Sequence, residues 1–521
     1  MKKLLLKAGL TVAVAAISFA ATAQTTSKSS WMLENNVYGH RYNAAYIPEK
    51  SYFGIGVGSV NPAIYSDIGV ANILFPTETG LVSGFNDAVS TEQFLSGMNA
   101  LNRIQVDLNE NILSIGARGK KGGYSVFELN ARVNVFGDLP RDLFAMLKED
   151  GGSGYDLSGM GLGASAYAEL SYGYARNLGD KVKFGFKVKG LCGLGSLQGE
   201  ARSVTATSDS ESIYVNADAS LRAAAPFLDL GTKASEYGDS EVIDFENIAF
   251  NAKAIRPCGA GVALDLGVII EPVEGLEIGV SVNDLGAMGW KYGIKGDTDA
   301  DVTYIGERKK PEEGSESSFG AEMGAAFGTL GELGEFHYSE GKKWEWDMLP
   351  FNVNAAIKWR MPFYRRLSFG AMGNYSNVYK HNSYDVRAGA AITPIDWFSL
   401  TGNAGISDFG PVWGAGTSIS LTVVNIWLSM DGYMGKLGHF TPEGKSVSIP
   451  YPAKQFGYCV NVGVNFQFGK RVPPVHDRLN LPKAEKKALR AETKALRAET
   501  KTLRAEKKAL KAEKKSGVES L

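Results

Sequence analysis

The sequence predicts an all-β chain: a transmembrane antiparallel β-barrel of about 14 strands with a basic α-helix at its C-terminus. Three observations predict it. The N-terminus carries an export signal, the middle alternates apolar and polar side chains from end to end, and no later apolar run is long enough for a membrane helix.

The signal comes first in the chain. Lys2, Lys3 and Lys7 make a positive start, and residues 8–20 are apolar apart from Thr11 and Ser18. Ala21, Thr22 and Ala23 then give a small-residue cleavage site before Gln24. Charge, length and cleavage chemistry together read as a secretory signal peptide over 1–23. As a membrane anchor the run is too short, since a spanning helix needs ~20 apolar residues. An exported chain without a spanning helix is either soluble or crosses a membrane as a closed barrel, because helices and closed barrels alone leave no backbone group unpaired in lipid.

The alternation is explicit in the middle of the chain. Phe127, Leu129, Ala131, Val133 and Val135 are apolar, while Glu128, Asn130, Arg132 and Asn134 between them are polar. Strand side chains point to opposite faces with period two, so this segment lies between an apolar and a polar medium. Leu162 to Tyr172 repeats the pattern at alternate positions, as do Val262 to Val268, Leu276 to Val282 opposite Asn283, and Tyr458 to Phe468. Val182, Phe184, Phe186 and Val188 alternate with Lys181, Lys183, Lys187 and Lys189. A soluble sandwich also alternates. The long apolar faces, the charged opposite faces and the aromatics at segment ends (Tyr172, Trp290, Trp359, Trp397) favour a barrel with a wet lumen. Glu128, Asn130, Arg132, Lys181, Lys183, Lys187, Lys189 and Asn283 are the expected lumen-facing polar residues. The lysines form either an anion-attracting stripe or, the favoured reading, a row balanced by acids on neighbouring strands. Polar stretches at 201–218, 235–254, 295–318 and 435–454 are expected as outer loops. Ser90 to Gln93 reads as a capping box, and Asp138 as the cap of a second short helix.

Chemistry-bearing motifs are missing. Cys192, Cys258 and Cys459 are far apart and odd in number, with no CxxC pair and no Cys/His metal spacing. The glycine strings at 54–58 and 159–163 do not complete a dinucleotide fingerprint. Neither a nucleophile elbow nor a zinc-protease motif is present. No catalytic residue, cofactor, metal site or nucleic-acid partner is therefore expected, and His40, His337, His381, His439 and His476 read as loop or surface residues.

The formal net charge of -1 hides an asymmetry, because 483–515 carries 13 Lys/Arg against 5 Glu. Residues 487–514 repeat a heptad of strong helix formers, with Leu489, Leu496, Leu503 and Leu510 seven apart. Lys487, Arg490, Lys494, Arg497, Lys501, Arg504, Lys508 and Lys511 follow 3/4 spacing and make a basic stripe that no glutamate neutralises at i,i+4. Pro473, Pro474 and Pro482 stiffen a linker at 470–482. Two readings stay open for this tail: a periplasmic helix that contacts an anionic envelope component or partner protein, and a solvated helix with no single partner.

Gly56 to Ala63, with the triplet Asn61, Pro62, Ala63, resembles the N-terminal element of barrels similar to the long-chain fatty-acid transporter. The run at 140–147 and the segment Val282 to Trp290 resemble a Bacteroidota family of outer-membrane barrels with no assigned function. The resemblance covers roughly 38–469 and implies a lumenal plug within 24–110, a barrel over 111–469, the cell outer membrane as location and its lipid as a partner. Asn61, Pro62 and Ala63 are the plug element it implies; an ordinary turn is the alternative at Asn61-Pro62. Asn283 and Asp284 either line a lateral opening or pack against the plug. The functions left are passage of a small, in one form hydrophobic, molecule, or a structural or secretion-accessory barrel that binds envelope components through loops and tail.

Overall fold

The computed structural model describes residues 27–469 apart from 35, 56–59, 78–79, 120–121, 150, 308–333, 342, 379–380, 435–436, 441–448 and 453. The expected signal peptide, proline-rich linker and basic tail lie outside the described residues, as does His476.

Among the described residues, 14 strands close into one antiparallel ring. They are β1 (Ser51–Ile55 continued by Val60–Ser66), β2 (Leu101–Arg118), β3 (Tyr124–Pro140), β4 (Gly161–Leu178) and β5 (Val182–Ser208). Then follow β6 (Gly259–Ile270), β7 (Leu276–Lys291), β8 (Trp344–Met348 continued by Phe351–Arg360), β9 (Leu367–Val378) and β10 (His381–Ile395). The last are β11 (Phe398–Ser407), β12 (Gly410–Ser420), β13 (Val424–Met434) and β14 (Phe456–Phe468). Each strand pairs with its neighbours in sequence, and β14 closes the ring on both parts of β1, with Phe53 opposite Phe466 and Ala63 opposite Cys459. Closure removes every edge, so backbone groups of the wall are paired without help from water. No helix among the described residues is long and apolar enough to cross a membrane.

The wall is inside-out relative to a soluble protein. Leu170, Tyr172, Val188, Val262, Val280, Val386 and Phe466 are exposed on the outer face. Glu128, Arg132, Glu169, Lys187, Lys189, Asp265 and Arg387 are buried on the inner one. Aromatics sit near both ends of this outer face: Trp359, Phe363, Tyr364 and Trp397 at one end, Trp344, Trp346, Tyr375 and Tyr384 at the other.

Turns such as 179–181 and 271–275 join strands at one end, where the chain also enters β1 and leaves β14. The long connections all lie at the opposite end. They are more ordered than the polar composition of 201–218 suggests. That stretch is a hairpin of β5 with a strand at Ser212–Ala224, because Val204, Ala206, Ile213, Val215 and Ala217 turn one face into an apolar cluster. The helices Thr91–Leu95 and Arg141–Lys148 add Phe94, Leu95, Leu143 and Met146 to it. The expected loops at 235–254, 295–318 and 435–454 likewise contain strands, at Glu241–Phe250, Ile294–Asp297, Thr303–Glu307, Leu437–Phe440 and Ile449–Pro452. Ser90 caps its helix, its side chain accepting from the Gln93 amide at 3.2 Å. Asp138 does not cap the other, which starts from Pro140; its carboxylate instead meets His381 Nε2 at 2.7 Å.

The wall begins at Ser51, well before residue 111. Asn61, Pro62 and Ala63 are part of it rather than of a plug: they lie in β1, paired with Asn109, Leu108 and Asp107 of β2. Pro62 has no N–H to give a ladder, and the pairing to β14 skips from Val60 to Ala63. The turn-like composition hid a strand.

Candidate functional site

Residues 27–46 are placed among the inward-facing side chains. Their local structure is two short 3-10 helices, Lys28–Trp31 and Val37–Arg41, the second capped by Asn36 through the Tyr38 amide at 2.9 Å. Helices this short do not hold themselves together in water. Contacts with the wall hold them here. Asn43 Nδ2 donates to the Val268 and Val280 carbonyls at 3.2 and 3.1 Å. Asn283 Nδ2 donates to the Arg41 and Tyr42 carbonyls at 3.2 and 3.0 Å, and Ser281 Oγ to Tyr42 at 2.5 Å. Tyr38 packs on Trp427 and Tyr52, with ring centroids 5.8 and 5.4 Å apart. His40 is buried, Nε2 2.8 Å from the Tyr52 hydroxyl, so it is no surface residue.

Three charges of this segment meet the wall at three places. Lys28 Nζ lies 3.2 Å from Asp385 on β10. Glu34 lies 2.8 Å from Lys358 and 3.4 Å from Arg360 on β8. Burial alone raises the Glu34 carboxyl, but these two cations overcome it and hold it at about 2. Arg41 donates through Nε and a terminal nitrogen to Glu128 on β3, at 3.1 and 2.9 Å.

Around Arg41 the wall forms a dense ionic network. Lys187 reaches Glu128 at 2.7 Å; Lys189 reaches Asp265 at 2.7 Å and Asp284 at 2.5 Å; Arg132 reaches Glu169 at 2.6 Å and Asp284 at 3.4 Å. The wall's contribution is three cations and four anions, and Arg41 brings the cluster to neutrality. A β-bulge makes this possible. Register shifts between Leu264 and Leu266, so Asn283 and Asp284 together face Asp265. Asp284 takes the left-handed backbone (φ 61°), and its amide donates to Asp265 at 2.7 Å. The extra residue lets two consecutive side chains serve the lumen. A small polar cavity of about 40 Å³ remains between this wall and the segment, lined also by Asn109, Asn130, Asn352, Asn354 and Asn374.

Of the residues expected to face the lumen, Glu128, Asn130, Arg132, Lys187, Lys189 and Asn283 are buried and gathered around that cavity. Lys183 stands apart, paired with Glu271 and Glu277. Lys181 is exposed in the turn before β5, its ammonium 3.1 Å from the Pro272 carbonyl, because the alternation starts one residue later. Sequence reasoning missed Lys28, Glu34 and Arg41, and on the wall Glu169, Asp265, Asp385, Arg387 and Asp431. Glu169 and Asp265 were detectable: each occupies a polar slot in an alternating strand.

Glycines keep room for the segment. A Cβ on Gly185 of β5 falls 2.0 Å from the Ala44 carbonyl oxygen, and one on Gly267 of β6 falls 2.9 Å from the Ala44 and Ala45 amides. Gly185→Val is therefore expected to push residues 43–46 off the wall while the strand, which tolerates β-branched residues, stays paired. Faster amide exchange over 37–46 than in the unsubstituted chain is the expected readout; unchanged exchange contradicts the contact.

A family model described as a family of unknown function (DUF5723) matches residues 44–431. The chain belongs to this family. The match spans β1 to β13, starting inside the lumenal segment, so most of the ionic network lies within the DUF5723 region. No curated protein matches the chain. Among solved structures, a Pseudomonas aeruginosa FadL homologue is similar over 86% of this chain and 100% of its own, at 9% identity and a TM-score of 0.40. The Pseudomonas putida toluene transporter TodX matches over 86% and 95%, at 9% identity and a TM-score of 0.34. The Ralstonia pickettii toluene transporter TbuX matches over 82% and 91%, at 9% identity and a TM-score of 0.36.

Proposed function

We propose that this DUF5723 chain is an outer-membrane barrel whose lumen is plugged by its own residues 27–46, and that it passes a small molecule when this segment moves. The apolar outer face between two aromatic ends supports the membrane placement: such a surface is stable against hydrocarbon and costly in water. The observation that carries the gating is the chemistry of the plug contact. Lys28, Glu34 and Arg41 are bound by ion pairs and hydrogen bonds, which water can replace as the segment leaves. A contact meant to be permanent is better built from packed apolar groups, since a buried ion pair recovers little beyond its desolvation cost.

Solute entry into liposomes tests the reading. Vesicles with the full chain are expected to exclude a small sugar that vesicles with a chain lacking residues 27–46 admit. Equal entry into both contradicts a plug.

A further inference from the structure

The passage reading makes residues 27–46 an occupant of sites in the wall, and one of these is built around an ammonium group. Asp385 on β10 and Asp431 on β13 are almost fully buried, with 2% and 1% of their surface exposed. Arg387 lies between them, 2.6 Å from Asp385 and 2.7 Å from Asp431, and donates to the Tyr433 hydroxyl at 2.5 Å. Two carboxylates against one guanidinium leave this wall cluster one negative charge in excess. Lys28 supplies the missing charge. Its Nζ lies 3.2 Å from Asp385 Oδ2, 3.5 Å from the Tyr433 hydroxyl and 5.9 Å from the centroid of the same ring. Its amide and that of Ser29 donate to the two oxygens of Asp431 at 2.5 and 3.2 Å. Carboxylate, hydroxyl and aromatic face around one position suit a compact cation with N–H donors.

We propose that Asp385 and Tyr433, with Arg387 and Asp431 behind them, form a binding site for a primary ammonium group, which Lys28 fills while the plug is seated and a cationic solute fills when it leaves. This rests on the passage reading for its occupant, though not for its existence. The Arg41 cluster points the same way, because plug withdrawal leaves its wall groups one negative charge in excess too. At these two places a solute carrying an ammonium replaces what the plug withdraws and an anion meets unbalanced carboxylates, whereas departure of Glu34 uncovers Lys358 and Arg360 at a third.

Chemical rescue of the full chain tests the site. Lys28→Ala removes the length of a propylammonium ion. n-Propylammonium chloride is expected to raise the thermal midpoint of this variant but not of the unsubstituted chain, whereas tetramethylammonium, which has no N–H, does neither. Equal effects of the two salts, or none from either, overturn the site. If Lys28→Ala does not fold, the reversal potential of the chain lacking 27–46 in a KCl gradient decides. Potassium is expected to be favoured over chloride by about threefold or more, and Asp385→Asn with Asp431→Asn to abolish the preference; equal permeability overturns the proposal. Rescue by propylammonium with no conductance from the truncated chain leaves the site standing and removes the passage reading.

Discussion

A chain lacking residues 27–46 is expected to conduct as an open pore, at least about tenfold above the full chain in a planar bilayer. The expectation follows from what the segment occupies. It contacts the inner faces of β3, β5, β6, β7, β8, β10 and β13, with its backbone on Gly185 and Gly267 and its charges on Asp385, Lys358 and Glu128. Removing it exposes a polar wall that water can wet, and leaves the strand pairing untouched, since no ladder of the ring runs through 27–46. The truncated barrel should therefore still resist unfolding by detergent at room temperature. Folded but non-conducting protein contradicts the expectation.

The second large effect is expected from Glu128→Gln. Glu128 is 1% exposed and accepts from Arg41, Lys187 and Ser114. Glutamine keeps the shape but removes the anion, leaving Arg41 and Lys187 facing each other with no charge between them. Breaking one partner of a buried ion pair costs about 3–5 kcal/mol; entry of water into the adjoining cavity reduces that toward the lower end. The segment is held more weakly than the wall, so it should yield first. Trypsin is expected to cut at Arg41 in the variant and not in the unsubstituted chain. Arg41→Gln in the same chain should recover part of the loss, because it removes the uncompensated cation, and a double-mutant cycle measures the coupling. Additive effects of the two substitutions contradict direct pairing.

Much of the barrel was legible because it is a period-two signal. Phe127 and Leu129 point out while Glu128 and Asn130 point in, as the alternation requires; Lys187 lies against Glu128 two strands away and Lys189 against Asp265 on the next strand. Parity is also where legibility ended. A bulge adds one residue and swaps faces beyond it, so counting from Leu276 could not show that Asn283 and Asp284 both serve the lumen. The plug was sought at Asn61, Pro62 and Ala63 because that triplet resembles the N-terminal element of the fatty-acid-transporter barrels, with a turn as the alternative, yet a ring strand tolerates a proline where the ladder skips a bond. The actual occupant, with its Ser, Asn, Tyr and Gly, has no periodicity to detect. Its shape comes from the wall rather than from its own propensities, and so does the burial of His40, a residue that composition alone assigns to the surface.

The most direct test is to release the segment from a barrel that has already folded. A protease site placed across residues 48–50, at the short-turn end where Pro48 and Lys50 accept hydrogen bonds from Arg118 and Tyr124, allows cleavage in a planar bilayer while current is recorded. A closed barrel that begins to conduct on cleavage, and closes again when a peptide of residues 27–47 is added, is the result expected of a self-plugged pore. Steady conductance before cleavage, or a barrel that stays closed after the segment has been cut and washed away, contradicts it.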